Sequence, residues 1–308
     1  MPDTEIVGPA DMAGDAAAPD TVVLSSSLSP SRASDFMTCP LLYRFRVVDR
    51  LPEPPSEAAT RGTLVHAVLE RLFDEPAAER TLAVATAMVD PVWRTLLAEE
   101  PELGALFDGE GAPSVEAFLS AAAPLLETYF GLEDPTRLEP AEREVLVESA
   151  NDEGFVLRGY IDRLDVAPDG AMRVVDYKTG RAPRDGFEQK AMFQMRFYAL
   201  VLWRVRGRIP ALLQLLYLGS GEILRYEPDE ADLLATERKV AALWTAIRTS
   251  AERGDWRPNK SRLCDWCAHQ ALCPEFGGTP PPLPVVQIGP PMPQNDDDSP
   301  VRVPEEMP

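Results

Sequence analysis

The sequence predicts an α/β domain in which a central mixed sheet is flanked by helices, with a mainly helical N-terminal part. Two observations carry this. Between residues 143 and 226, short runs rich in Val, Leu and Ile alternate with turn sequences, while stretches with apolar residues at three- and four-residue spacing lie before, between and after them. The resulting order (helices, three strands, helix, two strands, helix) lets helices cover both faces of one sheet. Composition agrees, since 45% apolar and 26% charged residues over 308 positions suffice for a sizeable core.

Taken in order, Ser29-Pro30-Ser31 starts a helix, because a serine cap followed by proline suits a first turn, and Cys39-Pro40 ends it. A second helix spans about 60–74, with Thr60 as its cap and Leu64, Val65, Val68, Leu69 and Leu72 sharing a face. Ala- and Leu-rich stretches at 81–107 and 113–130 are helical too. Strands follow at 143–149, 154–166 and 171–178, separated by Asn151-Asp152-Glu153-Gly154 and Pro168-Asp169-Gly170. A helix over 187–205, strands near 212–218 and 222–226 around Gly219-Ser220-Gly221, and a helix over 230–253 complete a body of residues 25–276. Residues 1–24 and 277–308, rich in Ala, Pro, Gly and acids, read as disordered tails.

The formal charge is -20, and much of it sits at the ends: residues 1–24 hold five acids and no Lys or Arg. The body is acidic as well, so bulk charge does not favour long duplexes, and any contact with nucleic acid must rest on a local basic patch or on metal ions. No run of 18 apolar residues occurs, so no membrane-spanning helix is expected. The start lacks the basic-then-apolar pattern of a secretory signal, which points to the cytoplasm, where four cysteines suggest a metal site before disulfides.

Asp176 and Lys178 lie two apart on the strand 171–178 and so face the same way. A hairpin through Pro168-Asp169-Gly170 brings Asp162 beside Asp176. Two carboxylates with an ammonium nearby form a site for a hard divalent cation that leaves room for a phosphate. An ordinary surface ion pair is the simplest alternative for Asp176 and Lys178. Glu144 on the first strand and His66 on the second helix can reach the same face, although His66 taken alone reads more readily as a buried core imidazole. Gln194 and Tyr198, four apart, share one helix face.

The set Gly62-Thr63-Leu64-Val65-His66, Glu144, Gly159-Tyr160-Ile161-Asp162-Arg163, Asp176-Tyr177-Lys178-Thr179-Gly180 and Gln194 to Tyr198 resembles, in order and spacing, the nuclease domains of the RecB type in the PD-(D/E)XK superfamily, over most of residues 25–276. That resemblance implies a restriction-endonuclease-like core and Mg2+- or Mn2+-dependent hydrolysis of DNA. It makes His66, Asp162 and Asp176 metal ligands, with the Val175 or Tyr177 carbonyl assisting, and gives Lys178 the positioning of the attacking water. Glu144 is a further contributor, while Gln194 and Tyr198 steady the site or the strand.

Cys264, Cys267 and Cys273 give C-x2-C-x5-C, and Cys39 lies far upstream, so a shared site clasps the two ends of the body. Four thiolates suit zinc or an iron-sulfur cluster, with His269 as a rival ligand. The arrangement resembles the iron-sulfur staple of AddB-type and CRISPR-associated members of this nuclease group, which implies a [4Fe-4S] cluster shielded by Trp266. Beside the cysteines, Tyr43, Arg44, Phe45, Arg46 and Arg50 on one side, and Trp256, Arg257, Lys260 and Arg262 on the other, interleave aromatics with cations, which suits a single strand and reads equally as core aromatics with a solvated rim of arginines. The expected activity is an exonuclease on single-stranded DNA or DNA ends, in repair or recombination. Without a Gly-x-x-x-x-Gly-Lys-[Ser/Thr] loop, the chain implies a helicase partner or a pre-existing end. A non-catalytic DNA-binding scaffold subunit and a CRISPR-adaptation nuclease are the alternatives.

Overall fold

The structure, a computed structural model, describes residues 21–183 and 188–290. The chain runs β1 (Thr21–Ser25), β2 (Ser27–Leu28), α1 (Pro30–Thr38), α2 (Pro40–Tyr43), a π-helical turn at Arg44–Val48, α3 (Glu57–Leu72), α4 (Leu82–Glu99), α5 (Val115–Ser120), α6 (Ala123–Leu132), β3 (Glu142–Ala150), β4 (Val156–Val166), β5 (Met172–Lys178), α7 (Glu188–Arg206), β6 (Leu212–Tyr217), β7 (Glu222–Tyr226), α8 (Glu230–Arg253) and β8 (Val285–Gly289). The expected mixed sheet is present. β3 is antiparallel to β4, β4 to β5 and β6 to β7, whereas β5 and β6 are parallel and joined through α7. Short β2 runs parallel to the first residues of β4.

Alternate side chains of β5 and β6 feed two cores. Val174, Leu213 and Leu215 pack with α1, α7 and α8, while Val175, Tyr177 and Leu216 pack with α3, α4 and α6. Each such fully buried large apolar side chain contributes roughly 1.5–3 kcal/mol, so the sheet is fixed from both sides.

Several boundaries differ from those the pattern predicts. Ser56, not Thr60, caps α3, accepting from the Ala59 amide, and Thr60 is buried inside the helix. The stretch 81–107 is not one helix: α4 stops at Glu99, ahead of Pro101, and a 3-10 segment Pro101–Phe107 follows. The stretch 113–130 divides into α5 and α6, with Pro124 in the first turn of α6. Residues 21–24 and 285–289, expected within the tails, instead form the parallel pair β1 and β8. Residues 1–20 and 291–308 and the expected start of the helix at 187 lie outside the described residues.

Candidate active site

The site forms where the strand ladders open. β4 and β5 pair from Val166–Met172 to Arg163–Val175, and the next opposed residues, Asp162 and Asp176, are no longer paired. On the other edge of β4, the ladder with β3 continues through Arg143–Arg163 and Val145–Ile161 but omits the pair between them, Glu144 and Asp162. Glu144 is left-handed there, with φ 42°, a conformation that costs a non-glycine residue about 1 kcal/mol or more and is retained only where the surroundings impose it. Both breaks turn carboxylates toward one space.

His66 on α3, Glu144 and Asp162 each offer a ligand atom, and these atoms lie within 4.8 Å of one another. The Asp162 Oδ2 accepts from the Tyr177 amide at 2.7 Å and stands 3.4 Å from His66 Nδ1. Asp176 is 1% exposed, which rules out a surface ion pair. Its Oδ2 meets Lys178 Nζ at 2.6 Å in an ion pair. Gln194 joins the pair: its Oε1 accepts from Lys178 Nζ, and its Nε2 donates to Asp176 Oδ1 and to the Tyr198 hydroxyl, each at 2.9 Å. The amide thereby reads both charges, and its four-residue spacing from Tyr198 on α7 is the reason both reach the site. All seven residues singled out for chemistry thus gather at this end of the sheet.

The electrostatics follow from crowding. Burial disfavours the His66 imidazolium, but Asp162, Asp176 and Glu144 outweigh it and lift the group to about 9. Burial, then Asp162, pushes Glu144 up to about 8. Burial likewise raises Asp176 to about 6 against the pull of Lys178. For Asp162 burial is overcome by His66, Lys178 and the Tyr177 amide, which hold it below the ordinary carboxylate range. Lys178 is raised despite burial, chiefly by Asp176, and stays an ammonium. Three carboxylates and one imidazole, with an excess of protons held among them, form a donor set suited to a hard divalent cation.

His66, Glu144, Asp162, Gln194 and Tyr198 line a cavity of about 460 Å3, with Asp176 and Lys178 behind that lining. Ser29, Ser31, Ser34, Thr63, Arg71 and Arg158 also line it, and none of them was singled out from sequence for chemistry. Ser29-Pro30-Ser31 was legible only as a helix start, which it is: Ser29 caps α1. Gly159 on β4 has a packing role. A Cβ there would stand 2.7 Å from Tyr198 Cε1, so the glycine admits the tyrosine ring. The intervening residues face the other way: buried Arg163 donates to Glu133 and, at 2.8 Å, to the Tyr177 hydroxyl.

The cysteines depart further from expectation. Cys39, Cys264, Cys267 and Cys273 line a single cavity of about 260 Å3. Among the described residues, however, no three thiols come within 4.8 Å of one another, so they are not gathered at single-ion spacing. His269 is no rival ligand, because its Nε2 is 2.7 Å from Glu53 Oε1 and its ring packs edge-on to Phe45. Trp266 is 79% exposed and so shields little. The two ends do meet, through Asn259, whose amide points at Cys39 Sγ and whose Nδ2 donates to the Thr38 carbonyl, and through Tyr43 stacked on Trp256. The aromatic and basic patch expected there forms only in part: Tyr43, Phe45 and Trp256 are core, Arg44 pairs with Asp49, Arg46 with Asp35 and Glu53, and Arg257 with Asp255, while Arg50, Lys260 and Arg262 are exposed.

A mixed sheet that opens at two opposed aspartates, with an Asp-x-Lys strand and a glutamine-tyrosine helix beside them, defines a site able to hold a divalent cation. The chain belongs to the PD-(D/E)XK nuclease superfamily, whose sequence profile matches residues 27–274. The gene 69 protein of Mycobacterium phage D29 is 24% identical over 212 residues, covering 58% of this chain and 70% of that one. A solved structure of a proposed exonuclease from Eubacterium rectale superposes with a TM-score of 0.51 at 14% identity, covering 79% of this chain and 88% of the other, which shows a shared fold. No described helix is long and apolar enough to cross a membrane.

Proposed function

We propose that this chain is a RecB-type deoxyribonuclease that hydrolyses phosphodiester bonds in the cavity lined by His66, Glu144 and Asp162, acting as an exonuclease on DNA ends or single strands in repair or recombination in the cytoplasm. The observation that carries this is the convergence of His66, Glu144 and Asp162 beside the buried Asp176–Lys178–Gln194 network. A bound Mg2+ or Mn2+ would polarise a phosphate oxygen and lower the pKa of a water. His66, Glu144 and Asp162 would hold it, with the buried Asp176 completing the set. Lys178 keeps its proton and is fixed by Asp176 and Gln194, so its ammonium is preorganised to orient the attacking water and offset charge developing on the phosphate. Gln194 and Tyr198 are positioning residues, acting through Asp176 and Lys178. The description of the Eubacterium rectale neighbour agrees with the exonuclease reading. The helicase partner finds no support in the comparisons.

For the cysteines, the same proposal includes a [4Fe-4S] cluster. Tetrahedral zinc with Zn–S near 2.3 Å draws its sulfurs to about 3.8 Å, closer than any three thiols stand here, while four thiols around one cavity leave space for a larger body.

The test is anaerobic purification with an absorption spectrum, then incubation of end-labelled single- and double-stranded DNA with Mg2+, Mn2+ or EDTA. A brown protein that shortens one substrate from its end only with metal, and an Asp162→Asn variant that does not, would support every part. Binding without metal-dependent cleavage would favour the scaffold alternative, and a colourless, zinc-loaded protein would remove the cluster.

A further inference from the structure

Helix α1 links three cavities. Ser31 and Ser34 line the one that contains His66 and Asp162. Ser34 also lines a second, of about 610 Å3, together with Thr38 and Lys239. Thr38 in turn lines the third, beside Lys260 and Trp266. Neighbouring cavities thus share wall residues along the helix, and Lys260 and Trp266, which line the third with the thiols, are themselves exposed. From Ser31 to Cys39 the helix covers about 12 Å, more than one nucleotide step.

In each of the last two cavities a lysine lies over an aromatic ring. Lys239 Nζ lies 4.6 Å from the Phe193 ring centroid and Lys260 Nζ 5.1 Å from that of Phe276, and among the described residues neither forms an ion pair with a carboxylate. Two of the acids along the way are already engaged: Asp35 by Arg46, and Asp232 by the Tyr226 hydroxyl at 2.6 Å. Glu275 is the acid left at the far end. Trp266, at 79% exposure, is an outlier for a residue type that is usually well buried, and Leu263 beside it is 50% exposed.

We infer that a single strand of DNA lies along α1, its phosphates met by Lys239 and Lys260 and a base stacked on the Trp266 indole, so that its other part enters the carboxylate cavity. A duplex keeps its bases stacked on one another and cannot use the indole, and the acidic body disfavours it further. This rests on the nuclease reading above, and assigns that site its substrate form and path.

The test is fluorescence anisotropy with a labelled oligothymidylate in EDTA, where hydrolysis is blocked, alongside a cleavage assay in Mg2+. Trp266→Ala should weaken binding at least about fivefold, and Trp266→Phe should recover most of the loss. Lys239→Gln and Lys260→Gln should each reduce the salt dependence by about 0.7 in log–log slope, whereas Arg94→Gln, on the exposed face of α4, should not. Quenching of tryptophan emission by the oligonucleotide, lost in Trp266→Phe, supplies a readout independent of how the alanine variant folds. If all three sites bind within twofold of wild type while wild type cleaves, the path is refuted and the nuclease reading stands. Wild type that binds with these sensitivities but never cleaves would instead overturn the nuclease reading and leave the path.

Discussion

Binding of one divalent ion at His66, Glu144 and Asp162 should expel about two protons at pH 7. In the metal-free protein the His66 imidazole, at about 9, is almost wholly protonated at that pH, Glu144, at about 8, is mostly so, and Asp176, at about 6, is mostly ionised. A cation accepts only the deprotonated forms, so it displaces the protons these groups hold. The sign is set by the direction of the shifts. His66 and Glu144 both bind protons more tightly in the fold than in an unfolded chain, so apparent metal affinity climbs with pH, by about two decades per unit near pH 7 and by less than one above pH 9. The same linkage makes the metal-free protein lose the stability these groups contribute as pH rises, from 4.5 to about 8 for Glu144 and from 6.5 to about 9 for His66. The assay is isothermal titration of Mg2+ or Mn2+ in buffers of differing ionisation heat, in which the slope counts protons. His66→Gln should lower the count by about one. A count near zero at pH 7, or one unchanged between pH 7 and 9, would refute the reasoning.

Lys178→Ala should reduce turnover by roughly 10²–10³-fold with DNA affinity little changed, read from kcat and KM separately, because the ammonium acts on developing charge. Gly159→Ala forces a methyl against the Tyr198 ring and should cost about 1–3 kcal/mol in urea unfolding, with Tyr198→Ala in the same chain relieving most of it. Arg163→Met strands the carboxylates of Glu133 and Asp165 and should cost about 3–5 kcal/mol by the same measurement, and Glu133→Gln added to it should restore part of the loss. Cys264→Ser should lower both melting temperature and visible absorbance if the thiols hold a cluster, and neither if they are structural bystanders.

Much of the carboxylate site was legible because strand periodicity is rigid. Two residues on one strand must share a face, and a Pro-Asp-Gly turn fixes the register that opposes Asp162 to Asp176. The helix pair Gln194 and Tyr198 followed for the same reason at a different period. What the pattern could not carry was whether a group is free. Arg44, Arg46 and Arg257 read as a basic patch, yet each is paired by an acid that the fold, not the spacing, brings near. His269 was lost to Glu53 in the same way. The strained Glu144 left no local signature, since a glutamate in a Val- and Leu-rich strand reads as an ordinary strand residue, and the serines of α1 signalled only a cap. Short strands at the body's ends escaped detection because their partners are some 260 residues apart, from Val22 to Val286.

The most direct test of the site is anomalous diffraction from crystals soaked in Mn2+. The strongest manganese peak should lie between His66, Glu144 and Asp162, within reach of Asp176, and should vanish in Asp162→Asn. A protein that cleaves DNA while its manganese sits elsewhere, or that shows no peak at those side chains at saturating ion, would contradict the assignment.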